Sequence, residues 1–410
     1  MERRFKDSGI PWIGEIPGHW ESGRFKSRFS TRKGLSITKA DLTESGIPVI
    51  SYGQIHSKHN NGTTVTEDII KYVPQTYLQS DSNALVDKGD FIFADTSEDI
   101  SGCGNCAYID CDGEIFGGYH TIIASGGGNN KYFSYLFLTD AWRSQIRCNV
   151  TGIKVFSISQ AILANALLIV PSIAEQEAIA AYLDKKCGEI DELIEVEQQM
   201  ISDLESYRQS VITEAVTHGL NPDAELKDSG VYWFGKIPER WIIAKMKFFV
   251  DISNGSDPKT EGDIPVFGSG ATSFKTCGEF KEGPTVLIGR KGATLHIPHY
   301  IEGNYWNVDT AFDTKVKNYR LKYFFYIASI LDYKAYISAT TLPSMTQSNY
   351  ENMQIPVPPL SEQQEIADYL DAKCAEIDEL IKVKQEKIET LKQYRQSLIF
   401  EAVTGKITIA

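Results

Sequence analysis

The stretch EQEAIAAYLDKKCGEIDELI at 175–194 returns as EQQEIADYLDAKCAEIDELI at 362–381. The match runs over 171–217 and 358–404, where about 29 of 47 positions are identical at an offset of 187. It continues weakly upstream, KVFSISQAILAN (154–165) aligning with TLPSMTQSNYEN (341–352). A second pair, KDSGIPWIGEIPGHW (6–20) and KDSGVYWFGKIPERW (227–241), is related by an offset of 221, so the first intervening segment is 34 residues longer. The chain reads as motif, variable segment, helix, then the same again. Self-similarity on this scale constrains the fold before any local pattern does, because the two halves must be built from one plan.

Within the repeat, apolar residues recur every seven positions: Leu183, Ile190, Leu204 and Val211 in the first copy, Leu370, Ile377, Leu391 and Leu398 in the second. Sustained over five heptads, this is a coiled-coil seam. Leu193, Met200 and Tyr207, with Leu380 and Tyr394, are expected at the neighbouring seam position. The central position is charged in both copies, Glu197 in one and Lys384 in the other. Each charge buried alone is costly, whereas facing each other they set the register. Glu195 and Lys382 repeat that complementarity. Two separately self-associating helices would instead oppose like charges. The helices are therefore expected to pair within one chain. About nine residues separate the first helix from the second KDSG motif, a reach of at most ~30 Å against a helix of ~65 Å. Antiparallel pairing meets that limit and sets the variable segments at opposite ends of a rod. Ser172 with Glu175 and Ser361 with Gln364 have capping-box spacing, and Gly219 and Gly405 suit helix ends.

The expected organisation is a variable domain at 1–170, a helix at 171–219, a second variable domain at 220–357 and a second helix at 358–410. The variable domains have mixed α/β composition. IPVISYGQI, GDFIFADTS, GDIPVFGSG and GPTVLIGRKGATLHI read as strands with Gly-rich turns. Residues 131–146 and 321–337 read as helices. No apolar run reaches membrane-spanning length, the N-terminus lacks a signal-peptide core, and the cysteines lack disulfide-framework spacing, so a cytoplasmic protein is expected. The net charge of −13 argues against a nucleic-acid partner, but residues 171–226 alone carry −10. Residues 1–170 and 227–357, at −2 and +2, remain eligible.

The two KDSG motifs, the sequence PVPPLSEQQEIADYLDAKCAEIDELI with its echo, and GPTVLIGRKGA…YWNVDTAF at 283–312 resemble the specificity subunit of Type I restriction–modification systems. The resemblance covers essentially the whole chain. It implies that the divergent domains are target-recognition domains, each reading one half of a bipartite site in double-stranded DNA. It also implies that the helices hold them apart and dock two methyltransferase subunits, with translocase–nuclease subunits joining for cleavage.

No catalytic set is present: the chain has neither a Walker A loop nor an Asn-Pro-Pro-Tyr-like motif with a Gly-rich cofactor loop. A non-enzymatic chain without cofactor or metal is expected. CGNC at 103–106, near Cys111 and His120, lacks the second pair that a zinc site needs, and the repeated Cys187 and Cys374 sit where small apolar side chains pack. GRKGAT at 289–294 is a basic turn that could offer backbone N–H groups, Arg290 and Lys291 to phosphate. Candidate DNA-reading residues in the first half are Tyr52, Gln54, His56 and Lys58, sharing one face if the segment is extended, then Thr96, Ser97, Thr151, Lys154 and Ser157. In the second half they are Ser269, Arg290, Lys291, Thr294, Thr340, Thr341 and Ser344. Tyr305, Trp306, Asn307 and Asp309 are assigned to the fold. The rival reading is a coiled-coil scaffold whose end domains bind protein or carbohydrate, which the acidic total charge would suit.

Overall fold

The computed structural model describes residues 4–126, 128–270, 272–337 and 343–409. The chain divides into two compact units, one of Met1–Val196 with Lys387–Ala410, the other of Glu197–Glu386. Two long helices, Ile173–His218 and Leu360–Val403, each give one half to each unit.

In the first unit, an antiparallel sheet has the strand order 106–108, 91–94, 121–126, 29–33. A second, mixed sheet has the order 71–73, 47–50, 115–117, 85–86, with 47–50 and 115–117 parallel. Phe91–Ala94 is buried throughout, as a continuous apolar run between two packed layers should be. Its aromatic core joins Phe25, Phe29, Phe91, Phe93, Phe133, Phe137 and Trp142, with ring centroids of Phe137 and Trp142 4.5 Å apart. The helix expected over 131–146 is broken in two, Asn130–Leu138 and Asp140–Arg147. Thr139 leaves the helical region and its hydroxyl accepts from Trp142 N, starting a new helix.

The second unit repeats the plan. Its antiparallel sheet runs 250–254, 311–316, 285–289, 299–301, and a three-stranded sheet runs 275–277, 264–267, 306–307 with the last two parallel. The helix expected over 321–337 ends at Ala328; a short 3-10 turn at Tyr333–Ala335 follows, capped by Asp332.

Each core extends onto the helices. In the first unit, Leu183, Cys187 and Ile190 share a cluster with Leu398, Ile399, Ala402 and Val403. In the second, Val211, Ile212, Ala215 and Val216 share one with Ile366, Ala367, Leu370 and Cys374. The start of one helix thus lies beside the end of the other, which is the expected antiparallel pairing. Glu197, 4% exposed, meets Lys384 Nζ at 3.0 Å. Arg208 meets Asp378 at 3.1 Å, and Arg395 makes the equivalent pair with Asp191 in the first unit. Leu204, Lys384 and Leu391 are half-buried, and the remaining heptad residues are buried.

The second seam position differs from expectation. Leu193, Met200, Tyr207, Leu380 and Tyr394 are exposed, whereas Cys187, Ala215, Cys374, Ile388 and Ala402 are buried. At 3.6 residues per turn, steps of three and four from a seam residue fall on opposite flanks. The four-residue step faces the partner helix. Burial pushes the Cys187 thiol up to about 11 and raises that of Cys374, as suits small apolar fillers.

The duplicated KDSG motif has a structural reason. Each copy forms a two-stranded hairpin, 5–7 with 15–17 and 226–228 with 236–238, that delivers a tryptophan to a helix start. Trp20 Nε1 donates to Glu175 Oε1 at 3.0 Å, and Trp241 Nε1 donates to Glu362 Oε2 at 3.0 Å. Gly219 and Gly405, at φ +75° and +71°, end the helices against these same indole rings, where a Cβ would lie 3.2 and 3.0 Å from ring carbons. Ser172 and Glu175 form the expected capping box, the hydroxyl donating to Glu175 Oε2 at 2.7 Å. Ser361 and Gln364 do not. The second helix begins at Leu360, Pro359 stands where Ser172 does, and Gln364 bonds Asp368.

Burial would raise the Glu175 carboxyl, but hydrogen bonds from Trp20, Ser172 and His19 outweigh it and hold it at about 2. The folded value lies below the unfolded ~4.3, so this stabilisation is present above about pH 4.5 and lost as pH falls towards 2. Glu175→Gln is expected to lower stability at pH 7 by on the order of 2 kcal/mol, allowing for the side chain's partial exposure. In denaturant unfolding the gap between wild type and variant should shrink below pH 4.5; a gap unchanged down to pH 2.5 would contradict the assignment.

Candidate nucleic-acid interface

In both units, the segment leaving the central strand of the antiparallel sheet pairs with the segment that precedes the long helix. Ile158 N donates to Asp95 O at 2.8 Å, and Ser157 pairs with Thr96. Met345 N donates to Arg290 O at 2.9 Å, and Ser344 pairs with Lys291. Asp95 N donates to His120 O at 3.0 Å, and Arg290 N donates to Thr310 O at 2.8 Å. The parallel pairs Gly117–Ile50 and Asn307–Phe267 add a third correspondence. By this register Asp95 corresponds to Arg290, Thr96 to Lys291, Tyr119 to Asp309, His120 to Thr310, Ser157 to Ser344 and Tyr52 to Ser269. One backbone surface occurs twice with different side chains.

In the first unit this surface is aromatic. Tyr52 lies edge-on to Tyr119, His120 and His56, at centroid distances of 5.6, 5.5 and 6.3 Å. His120, exposed and at φ +54°, sits 3.3 Å from Asp95, which also accepts from the Thr96 hydroxyl at 2.7 Å. The extended segment expected at 52–58 is instead a turn of helix at Tyr52–Ile55. Ser51 and Gln54 close it as a capping box, with Gln54 Oε1 accepting from Ser51 N at 3.2 Å. Tyr52, Gln54, His56 and Lys58 therefore do not share a face. Both ring nitrogens of His56 are occupied, Nε2 by the Thr96 carbonyl at 2.9 Å and Nδ1 by Asn105 Nδ2 at 3.2 Å. Ser97 is buried, its hydroxyl donating to Asp99 O. Lys58, Thr151, Lys154 and Ser157 are exposed. The 151–157 segment is a hairpin tip closed by the Thr151–Ser157 bridge. Gly152, at φ +140°, makes it possible, since a Cβ there would lie 1.9 Å from Val155 O.

In the second unit the surface is charged. Ser269, Arg290, Lys291, Thr294 and Ser344 come together, but two of the hydroxyls serve the backbone. Ser269 Oγ donates to Lys291 O at 2.6 Å, and Thr294 Oγ1 donates to Ser269 O at 2.7 Å. The N–H groups expected to cradle phosphate are also occupied: those of Arg290 and Lys291 donate to Thr310 O, and that of Gly292 to Pro343 O at 3.0 Å. Asp309, assigned to the fold from sequence, is exposed here, its Oδ2 3.3 Å from Lys291 Nζ and 3.9 Å from Arg290 Nη1. Tyr305, Trp306 and Asn307 do bond within the fold, to Asp313, Ser256 O and Ala311 O. Thr340 and Thr341 lie outside the described residues. Tyr119, His120 and Thr310 are not among the DNA-reading candidates from sequence, where His120 is weighed only beside the cysteines; aligning GYHTIIA (118–124) with VDTAFDT (308–314) would have placed them here.

A family model for the type I restriction modification DNA specificity domain matches residues 17–206 and 240–390, one stretch in each half of the duplication. The chain belongs to that family. It is 24% identical to the putative type I restriction enzyme MjaX specificity subunit of Methanocaldococcus jannaschii, across all of this chain and 97% of that one. It is 26% identical to the type I restriction enzyme EcoBI specificity subunit of Escherichia coli, over 45% of this chain and 43% of that one. The fold is shared with a chain solved in a study of complex assembly and conformational transition of the type I R-M system, with TM-score 0.72, 18% identity and coverage of 96% and 99%. The HsdS subunit from Thermoanaerobacter tengcongensis gives a TM-score of 0.53 at 19% identity, over 96% and 98% of the two chains. As a type I specificity subunit, the chain carries two target-recognition domains of mixed α/β fold and two long helices packed antiparallel. The rival reading, a scaffold that reads no DNA, is not favoured. Among the described residues, no helix is long and apolar enough to cross a membrane.

Proposed function

We propose that this specificity subunit is a non-catalytic cytoplasmic protein whose domains at 1–170 and 220–357 each read one half of a bipartite site in double-stranded DNA. The observation that carries this is the doubled surface: one backbone arrangement, held by matching hydrogen bonds, with side chains that differ at every corresponding position except Ser157 and Ser344. A fold kept while its exposed side chains change is what independent reading of two sequences requires. The helix segments 171–219 and 358–410 set the spacing and dock two methyltransferase subunits, with translocase–nuclease subunits joining for cleavage. Exposed apolar residues repeat on both helices, Leu193 with Leu380, Val196 with Val383 and Tyr207 with Tyr394, and twofold repetition suits two copies of one partner.

The test is competition binding by the subunit assembled with its modification subunits. Duplexes carrying the target should bind at least about a thousandfold tighter than unrelated duplexes, with affinity falling as salt rises. Binding that is salt-sensitive but equal for all sequences would refute the proposal.

A further inference from the structure

The doubled surface inverts its charge between units. The places filled by Asp95, Thr96 and Tyr119 in the first hold Arg290, Lys291 and Asp309 in the second. We propose that Lys291 and Asp309 are the specificity-determining pair of the second unit and that their ligand is a G·C base pair. The proposal deepens the DNA-reading function above and rests on it.

The chemistry follows from what remains unused. Lys291 has three ammonium donors, and Asp309 Oδ2, at 3.3 Å, engages one of them. The others can reach two adjacent acceptors, the arrangement that guanine O6 and N7 present in the major groove. The Asp309 carboxylate is an acceptor for the cytosine N4 amino group of the same pair. Arg290 holds this acceptor in place. Its guanidinium lies over the Phe312 ring at 5.7 Å and donates to the Asp309 carbonyl at 3.2 Å. A carboxylate restrained before DNA arrives loses less freedom on binding. Asp309 is half exposed and Lys291 about two-fifths, so both reach solvent. Because the N–H groups of 290–292 already serve the fold, backbone cradling of phosphate is not what this turn provides. The first unit lacks the pair. Thr96 is tied to Asp95, and Tyr119 packs against Tyr52 and His120. The equivalent step of the first half-site is therefore read without a lysine–carboxylate pair.

The experiment maps methylated sites in genomic DNA from cells making the subunit with its modification subunit, for wild type, Lys291→Met, Lys291→Arg and Asp309→Asn. Wild type should give a bipartite motif. Lys291→Met should lose about ten- to hundredfold discrimination at one G·C pair of one half and leave the other half intact. Lys291→Arg should keep guanine there, and Asp309→Asn should relax the same pair. An unchanged motif in Lys291→Met would overturn the proposal, as would weaker methylation at every site with the motif unchanged, the signature of a phosphate contact. If Lys291→Met abolishes methylation, competition by duplexes altered one base pair at a time, using the Asp309→Asn complex, gives the same decision. Absence of any bipartite motif in wild type would instead refute the DNA-reading function.

Discussion

Glu197→Lys is expected to destabilise the helix pair by on the order of 3–5 kcal/mol, because it sets a second ammonium against Lys384 at a position only 4% exposed. In a thermal melt this corresponds to a fall on the order of 10 °C. Lys384→Glu alone should cost less. Lys384 is about a quarter exposed, so its replacement can turn towards water. The double variant Glu197→Lys, Lys384→Glu restores opposite signs at 3.0 Å and should recover most of the loss. Recovery is incomplete on physical grounds. Lys384 Nζ also contacts Met200 Sδ at 3.1 Å, and a carboxylate in its place cannot donate there. If the double variant melted no higher than Glu197→Lys, the pair would contribute nothing to register, and the exchange of sign between the two copies would need another cause.

That pair was legible because heptad spacing is local and the sign of a charge needs no structure to be read. The same spacing left the second seam position open. Leu193 and Ile194 are both apolar, and only the packing shows that the step of four turns inward while Leu193 stays in solvent. Ser361 misled for a similar reason. The capping-box pattern was present, but the helix begins at Leu360, two residues earlier than a Ser361 cap would give. Pro359 stands at the cap, its carbonyl accepting from Gln363 N. At the doubled surface, residue type picked out loops that the fold brings together, but it could not show which of their polar atoms the fold already uses. Ser269, Thr294 and His56 look like readers in sequence, and each spends its polar group on a carbonyl or amide far away in the chain. The N–H groups of 290–292 are likewise consumed by Thr310 and Pro343, partners that no local pattern reveals. Asp309 went the other way: it lies among fold residues in sequence, yet strand register carries it to Arg290 and Lys291.

Strand register also decides where the first recognition domain can be exchanged. Cutting at 21–150 would separate Thr96–Ser97 from Phe156–Ser157 and strand 21–24 from strand 167–170, both paired in the structure. An insert so cut would bring one edge of each pair from a foreign sequence, and a mismatched register turns side chains to the wrong face. Exchange of 21–170 keeps both pairings within the donor. It leaves Trp20 to grip Glu175, since the tryptophan lies before the cut and the glutamate after it. With such an exchange, methylation mapping should show the first half of the motif replaced by the donor's, and the second half and the spacing retained. The 21–150 exchange should give less assembled complex and weak methylation. The expected effect is the whole of one half-site, because every residue proposed to read bases in the first unit lies within 21–170. A 21–170 chimera that changed both halves, or neither, would mean that recognition is not partitioned between the two domains.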